Sequence, residues 1–154
     1  MSLMSTAVHL ERTISAPPHR VYRAWLDPEL LRRWCAPTGF EATSAEVDER
    51  VGGRVSVVQA GPDGEEIGGA ECVIVELVPD ERIVLDWTFV GPDRTVEPDH
   101  ATRLTVTLRA VEAGTHLTLD HDRLDGLSAA MPEVARNVEG GWDSALARLA
   151  GAVA

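Results

Sequence analysis

From residue 7 to residue 14 the chain reads AVHLERTI, with Val8, Leu10, Arg12 and Ile14 in one phase and His9, Glu11 and Thr13 in the other. A period of two predicts a strand with one buried face, here interrupted by an arginine. The period then changes. In SAPPHRVYRAWL the paired prolines pre-set a first helical turn, and Val21, Tyr22, Trp25 and Leu26 gather on one side of the helix that follows. Asp27 is a good N-cap and Pro28 is tolerated in a first turn, so PELLRRW predicts a second short helix.

Between Phe40 and His121 the pattern is β throughout, broken by turn residues at Gly52-Gly53, Gly61 to Gly64, Pro79-Asp80, Gly91 to Asp93 and Gly114. Strands are predicted near 40–48, 53–60, 65–78, 82–90, 101–111 and 115–122. With the first strand, that spacing implies a seven-stranded antiparallel sheet. Beyond it Val134, Val138, Trp142, Ala145, Leu149 and Val153 recur every three or four residues, with Pro132 in the first turn, and predict a long amphipathic closing helix. Gly140 and Gly141 fall inside this helix, each at a cost of about 1 kcal/mol relative to Ala, which implies a close backbone approach or a bend. Strands followed by a helix segregated to the end form the α+β pattern. Gly52, Gly53, Gly68 and Gly69 stand where a sheet needs bulges or tight bends to curve around that helix.

A length of 154 residues suits one domain, assigned to residues 7–154, that buries its core without staples. Residues 1–6 are assigned to a leader and a disordered N-terminus, because Met1, Ser2 and Leu3 stand ahead of a second methionine, Met4. Fourteen Lys and Arg against 25 Asp and Glu leave a net charge of -11, which repels nucleic acid and anionic membrane surfaces alike. Cys35 and Cys72 belong to no CxxC motif and read as reduced, structural thiols. With no signal segment and no apolar run of the roughly 18 to 20 residues that span a bilayer, the expected compartment is the cytoplasm, without membrane insertion.

Five phrases, SAPPHRVYRAWLDPELLRRWCAP, VDERVGGRV, ELVPDERIVLDW, THLTLDH and GGWDSALARLA, occur in this order over nearly the whole chain. Together they resemble the SRPBCC or helix-grip superfamily, START-like in fold, in the branch named after the C-terminal domain of the activator of heat-shock-protein-ninety ATPase. The resemblance implies a helix-grip architecture of order β-α-α-β6-α, with a curved sheet wrapped around the C-terminal helix. It implies no single function, since the fold hosts lipid carriers, aromatic polyketide cyclases and hormone receptors. The co-chaperone activity of that branch depends on an additional N-terminal domain, and a chain expected to begin at its first strand has no room for one, so a chaperone partner is disfavoured.

The candidate chemistry follows from strand phase. Leu85, Trp87 and Phe89 share the inner face of one strand with Ile83, Leu104 and Val106 line the next with Leu108, and Leu119 and His121 continue it with Leu117. With Val138 and Trp142 of the closing helix they form the expected ligand-binding set, or else a directly packed core. His121 is the weak candidate for a catalytic group, and His100 shares its phase with Leu104. Asp120 and Asp122 alternate with His121, so no metal site is expected, and no cofactor motif is present. Arg12 and Arg54 are expected to pair with acidic neighbours, with anchoring of a ligand carboxylate the alternative; Glu71 and Glu76 are weak candidates for a general base. Cys35 has no neighbour that would lower its pKa.

Three functions are weighed on this basis. The leading expectation is a carrier or sensor of a small hydrophobic or aromatic molecule held between sheet and helix. The second is a cyclase- or isomerase-type enzyme using His121 in the same cavity, although no catalytic motif is identified. The third is a protein-interaction module, either a homodimer or a chaperone partner, with Tyr22 and Trp34 as surface contacts.

Overall fold

The computed structural model describes residues 7–36, 39–91, 101–125 and 136–153. Strand β1 (Val8–Ile14) leads into α1 (Pro18–Leu26) and α2 (Pro28–Trp34). Six strands follow: β2 (Glu41–Val47), β3 (Arg54–Ala60), β4 (Glu66–Val78), β5 (Arg82–Val90), β6 (Thr102–Val111) and β7 (Gly114–Asp122), and α3 (Val138–Val153) closes the chain. The strands lie within a residue or two of the predicted spans. The closing helix starts at Val138, whereas Pro132 and Val134, predicted for its first turn, lie outside the described residues, as does His100.

All neighbouring strands are antiparallel, in the order β1-β7-β6-β5-β4-β3-β2. The meander therefore runs from β2 to β7, and β1 adds itself to the far edge beside β7. Curvature comes from register shifts between Ala42 and Ser44, Gln59 and Ala60, and Ile74 and Glu76. Gly68 and Gly69 add to it with φ angles of +121° and +153° inside β4. A Cβ at Gly69 would run into the Val57 carbonyl oxygen of β3, and one at Gly68 into that of Val90 in β5, so only glycine lets the three strands approach here.

The helices are positioned by their ends. Pro17 precedes α1 in extended geometry, and the Asp27 side chain accepts the Glu29 N–H at 2.9 Å to cap α2, with Pro28 in its first turn. Val21, Tyr22, Ala24, Trp25 and Leu26 of α1 and Leu31 and Trp34 of α2 are buried. They join Val138, Trp142, Ala145, Leu146, Leu149 and Val153 of α3 and the inner sheet face in one core.

Gly140 and Gly141 correct one expectation. A Cβ at either would meet no atom of the described residues within 4 Å. Among the described residues, these glycines therefore make room for no packed neighbour.

Candidate functional site

The inner face between β5, β6, β7 and α3 is set by strand register. Leu85 faces Leu104 across β5 and β6, and Val106 faces Leu119 across β6 and β7, giving a continuous apolar floor. At its β6–β7 end Leu104 is paired with His121, and Thr102 is paired with Trp87. Leu85, Trp87, Leu104, Val106, Leu119, His121, Val138 and Trp142 are all buried, and Phe89 is partly exposed. The nine residues singled out from the pattern thus fall on one interior, with Phe89 at its border with solvent.

His121 has no solvent exposure. Its ring lies 6.0 Å from those of Trp87 and Phe89 and 6.1 Å from that of Trp142, and it is stacked on Phe89 with 23° between planes. Both nitrogens are engaged. The Trp142 indole N–H donates to His121 Nδ1 at 2.9 Å, and His121 Nε2 lies 2.6 Å from Thr102 Oγ1. An indole nitrogen is only ever a donor, so Nδ1 must accept and the ring proton sits on Nε2. Nε2 then donates to Thr102 Oγ1, whose own hydroxyl donates to the Trp87 carbonyl oxygen at 3.0 Å. This directed chain ties α3 to β7, β6 and β5. Burial also pushes the His121 pKa down to about 4, so at neutral pH the ring is uncharged.

The tryptophans surround this chain. Trp142 lies 5.1 Å from Trp87 and 5.7 Å from Trp25, and Trp25 lies 4.6 Å from Trp34. All four tryptophans of the sequence form one connected, buried cluster.

The profile of the family described as Activator of Hsp90 ATPase homolog 1-like protein matches residues 15–154. The chain belongs to this family. A protein of Chromobacterium violaceum solved by crystallography is 31% identical, with a TM-score of 0.78 over 97% of this chain and 98% of that one. Proteins of Arthrobacter aurescens (22% identity, TM-score 0.83, 96% of this chain and 86% of that one) and Aeromonas hydrophila (21%, 0.69, 96% and 91%), the latter described as AHSA1-like, share the fold. No curated protein matches the chain. The SRPBCC helix-grip architecture implied by the sequence phrases is thereby established.

Within this family frame several candidate residues move. Arg12 pairs with Asp143 of α3 and donates to the Glu11 carbonyl oxygen at 2.7 Å, so it clasps the helix rather than pointing into the interior. Arg54 is exposed, on the opposite face of β3 from buried Val55 and Val57. Ser56 Oγ donates to Glu71 at 2.8 Å across the outer sheet face, and Glu76 pairs with Arg82 at 2.8 Å in a half-exposed position. None of these four charged groups reaches the interior, because strand alternation turns them outward or a surface partner holds them. Asp120 bonds His9 at 2.5 Å and His116 bonds Glu11 at 2.7 Å, also on the outer face. Tyr22 and Trp34, expected as surface contacts, are buried in the core, since both lie on the helix faces that pack inward. Cys35 and Cys72 are buried free thiols, and burial raises the first to about 12 and the second well above its usual value, which leaves neither nucleophilic.

Thr102 and Trp25 belong to the site's surroundings although the sequence pattern does not assign them to it, and Trp34, expected at the surface, joins them. Thr102 starts a strand after a Pro-containing stretch, where phase is hard to assign. The tryptophans lie on amphipathic helices whose inward faces say nothing of which part of the core they enter. No helix among the described residues is long and apolar enough to cross a membrane.

Proposed function

We propose that the chain binds a small, largely apolar or aromatic molecule in the grip between the inner sheet face and α3, as a carrier or sensor. The observation that supports this reading is the interior itself. Trp87, Phe89 and Trp142 present aromatic surface around a neutral His121 whose hydrogen bonds are satisfied within the protein, so an apolar guest would desolvate no unpaired charge there. Phe89 is partly open to solvent at its border. Buried free thiols at Cys35 and Cys72 fit residence in a reducing compartment such as the cytoplasm.

The test is a thermal-shift screen with uncharged aromatic and aliphatic compounds. A ligand supplied at about 100 times its Kd adds about 2.7 kcal/mol to stability, which raises Tm by about 5–10 °C in a chain of this size. A broad panel that leaves Tm unchanged removes the reading. Catalysis by His121 is less well supported: its lone pair already accepts from Trp142, and its proton is committed to Thr102.

A further inference from the structure

We propose that His9, Glu11, His116 and Asp120 form a proton clamp on the outer sheet face, in which a doubly protonated His9 fastens edge strand β1 to β7 and, through Arg12 of the same strand, steadies α3. The clamp lies on the opposite side of the sheet from the aromatic interior and makes no use of a bound guest.

Strand β1 is the last of the sheet and is bonded to a neighbouring strand on one side only. Its register sets His9 against Asp120, Glu11 against Thr118 and Thr13 against His116, which gathers the four ionisable groups on the face away from buried Val8 and Ile14. His9 Nδ1 lies 2.5 Å from the Asp120 carboxylate, and His9 Nε2 lies 3.2 Å from that of Glu11. The other Glu11 oxygen lies 2.7 Å from His116 Nε2. An ionised carboxylate only accepts, so His9 satisfies both neighbours only when each ring nitrogen carries a hydrogen, which makes the ring a cation. Either neutral tautomer turns a lone pair toward one of the two carboxylates. Among the described residues no three His, Cys, Asp or Glu side chains are placed to hold a metal ion, so the positive charge that this arrangement calls for is a second proton.

The surroundings favour that proton. Hydrogen bonding to Asp120, and then to Glu11, raises the His9 pKa above its usual 6.5, while His116, with His9 second, holds the Glu11 carboxyl below its usual 4.5. To the same face β7 adds Asp122, and β6 adds Arg103 and Arg109, of which Arg103 is taken by Asp86 of β5. From α3, Asp143 meets Arg12. A histidine with a raised pKa contributes stability that is complete below pH 6.5 and is lost as pH rises through the folded value; Glu11, being lowered, contributes above pH 4.5 and loses this as pH falls through its folded value. The clamp therefore closes in weak acid and slackens in weak base. Strand β1 also carries Arg12, whose guanidinium donates to the Glu11 carbonyl oxygen at 2.7 Å and pairs with Asp143, so loosening of β1 reaches α3.

The experiment follows amide hydrogen exchange by NMR in the intact chain and in His9→Gln at about pH 6 and about pH 8.5, with each rate normalised to that of an unstructured peptide at the same pH. Wild-type β1 amides should lose about twofold to fivefold in protection at the higher pH, the size expected of an exposed ion pair, and the amides around Asp143 should follow by a smaller factor. In His9→Gln neither loss should appear, whereas β4 amides should behave alike in the two proteins. The midpoint of the His9 Cε1–H titration should fall in Asp120→Asn. Equal β1 profiles in wild type and His9→Gln, or an unmoved His9 midpoint in Asp120→Asn, overturn the clamp. A β1 response with none around Asp143 overturns its reach to α3.

Discussion

His121 carries the sharpest consequence at the scale of single residues. Its pKa is lowered from 6.5 to about 4 by burial, so the folded state binds fewer protons than the unfolded chain between those values. Stability from this residue is therefore complete above pH 6.5 and falls as pH drops toward 4, by roughly 3 kcal/mol in total, since a tenfold change in proton affinity is worth about 1.4 kcal/mol. Urea denaturation of the wild type and His121→Leu across this range should show a steeper loss for the wild type, the variant having no imidazole to charge. Parallel pH profiles would mean that the ring does not titrate through folding. At pH 7 the same substitution should cost about 2–3 kcal/mol, because it strands the Trp142 N–H and removes a donor to Thr102.

Glycine has opposite meanings in two elements. In β4, Gly69 sits at φ +153° where a Cβ would strike the Val57 carbonyl oxygen, so Gly69→Ala should destabilise by about 3 kcal/mol or more. In α3, Gly140 has ordinary helical geometry and open space about its Cα among the described residues. Gly140→Ala should therefore stabilise by about 0.5–1 kcal/mol, the ordinary helix-propensity gain. Paired denaturation curves check both signs. A loss of stability in Gly140→Ala would mean that the position is crowded after all. The glycine pair inside a helical pattern is legible in the sequence as an anomaly, whereas its surroundings are not.

The whole molecule is held closed by ties from α3 to the rest of the chain. Arg148 reaches two carbonyl oxygens just beyond α2, Arg20 donates to the Val153 carbonyl oxygen at 3.1 Å, and Arg12 joins Asp143. Arg148 is part-buried and makes charge-assisted bonds, so Arg148→Met should cost about 1–3 kcal/mol. The Arg12 pair is substantially exposed and should matter less: Asp143→Asn should change stability by under about 1 kcal/mol. Urea denaturation of the two variants ranks the ties, and a larger effect from Asp143→Asn than from Arg148→Met would reverse that ranking.

Local pattern by itself determined the seven strands, the two short helices and the α+β class. Strand alternation, the Asp27-Pro28 restart and the glycine-rich turns each act over a few residues, and the physics that enforces them is equally local. The same alternation assigned Leu85, Trp87, Leu104, Val106, Leu119 and His121 to one face. Tertiary structure decided what those residues meet. Register placed Thr102 beside His121, packing of α3 delivered the Trp142 N–H to Nδ1, and the two helices brought Trp25 and Trp34 into the same cluster. It also gave Arg12 to Asp143. Such contacts join residues 19 to 131 positions apart, where no periodicity reaches and only the closing of the sheet around its helix selects the partner.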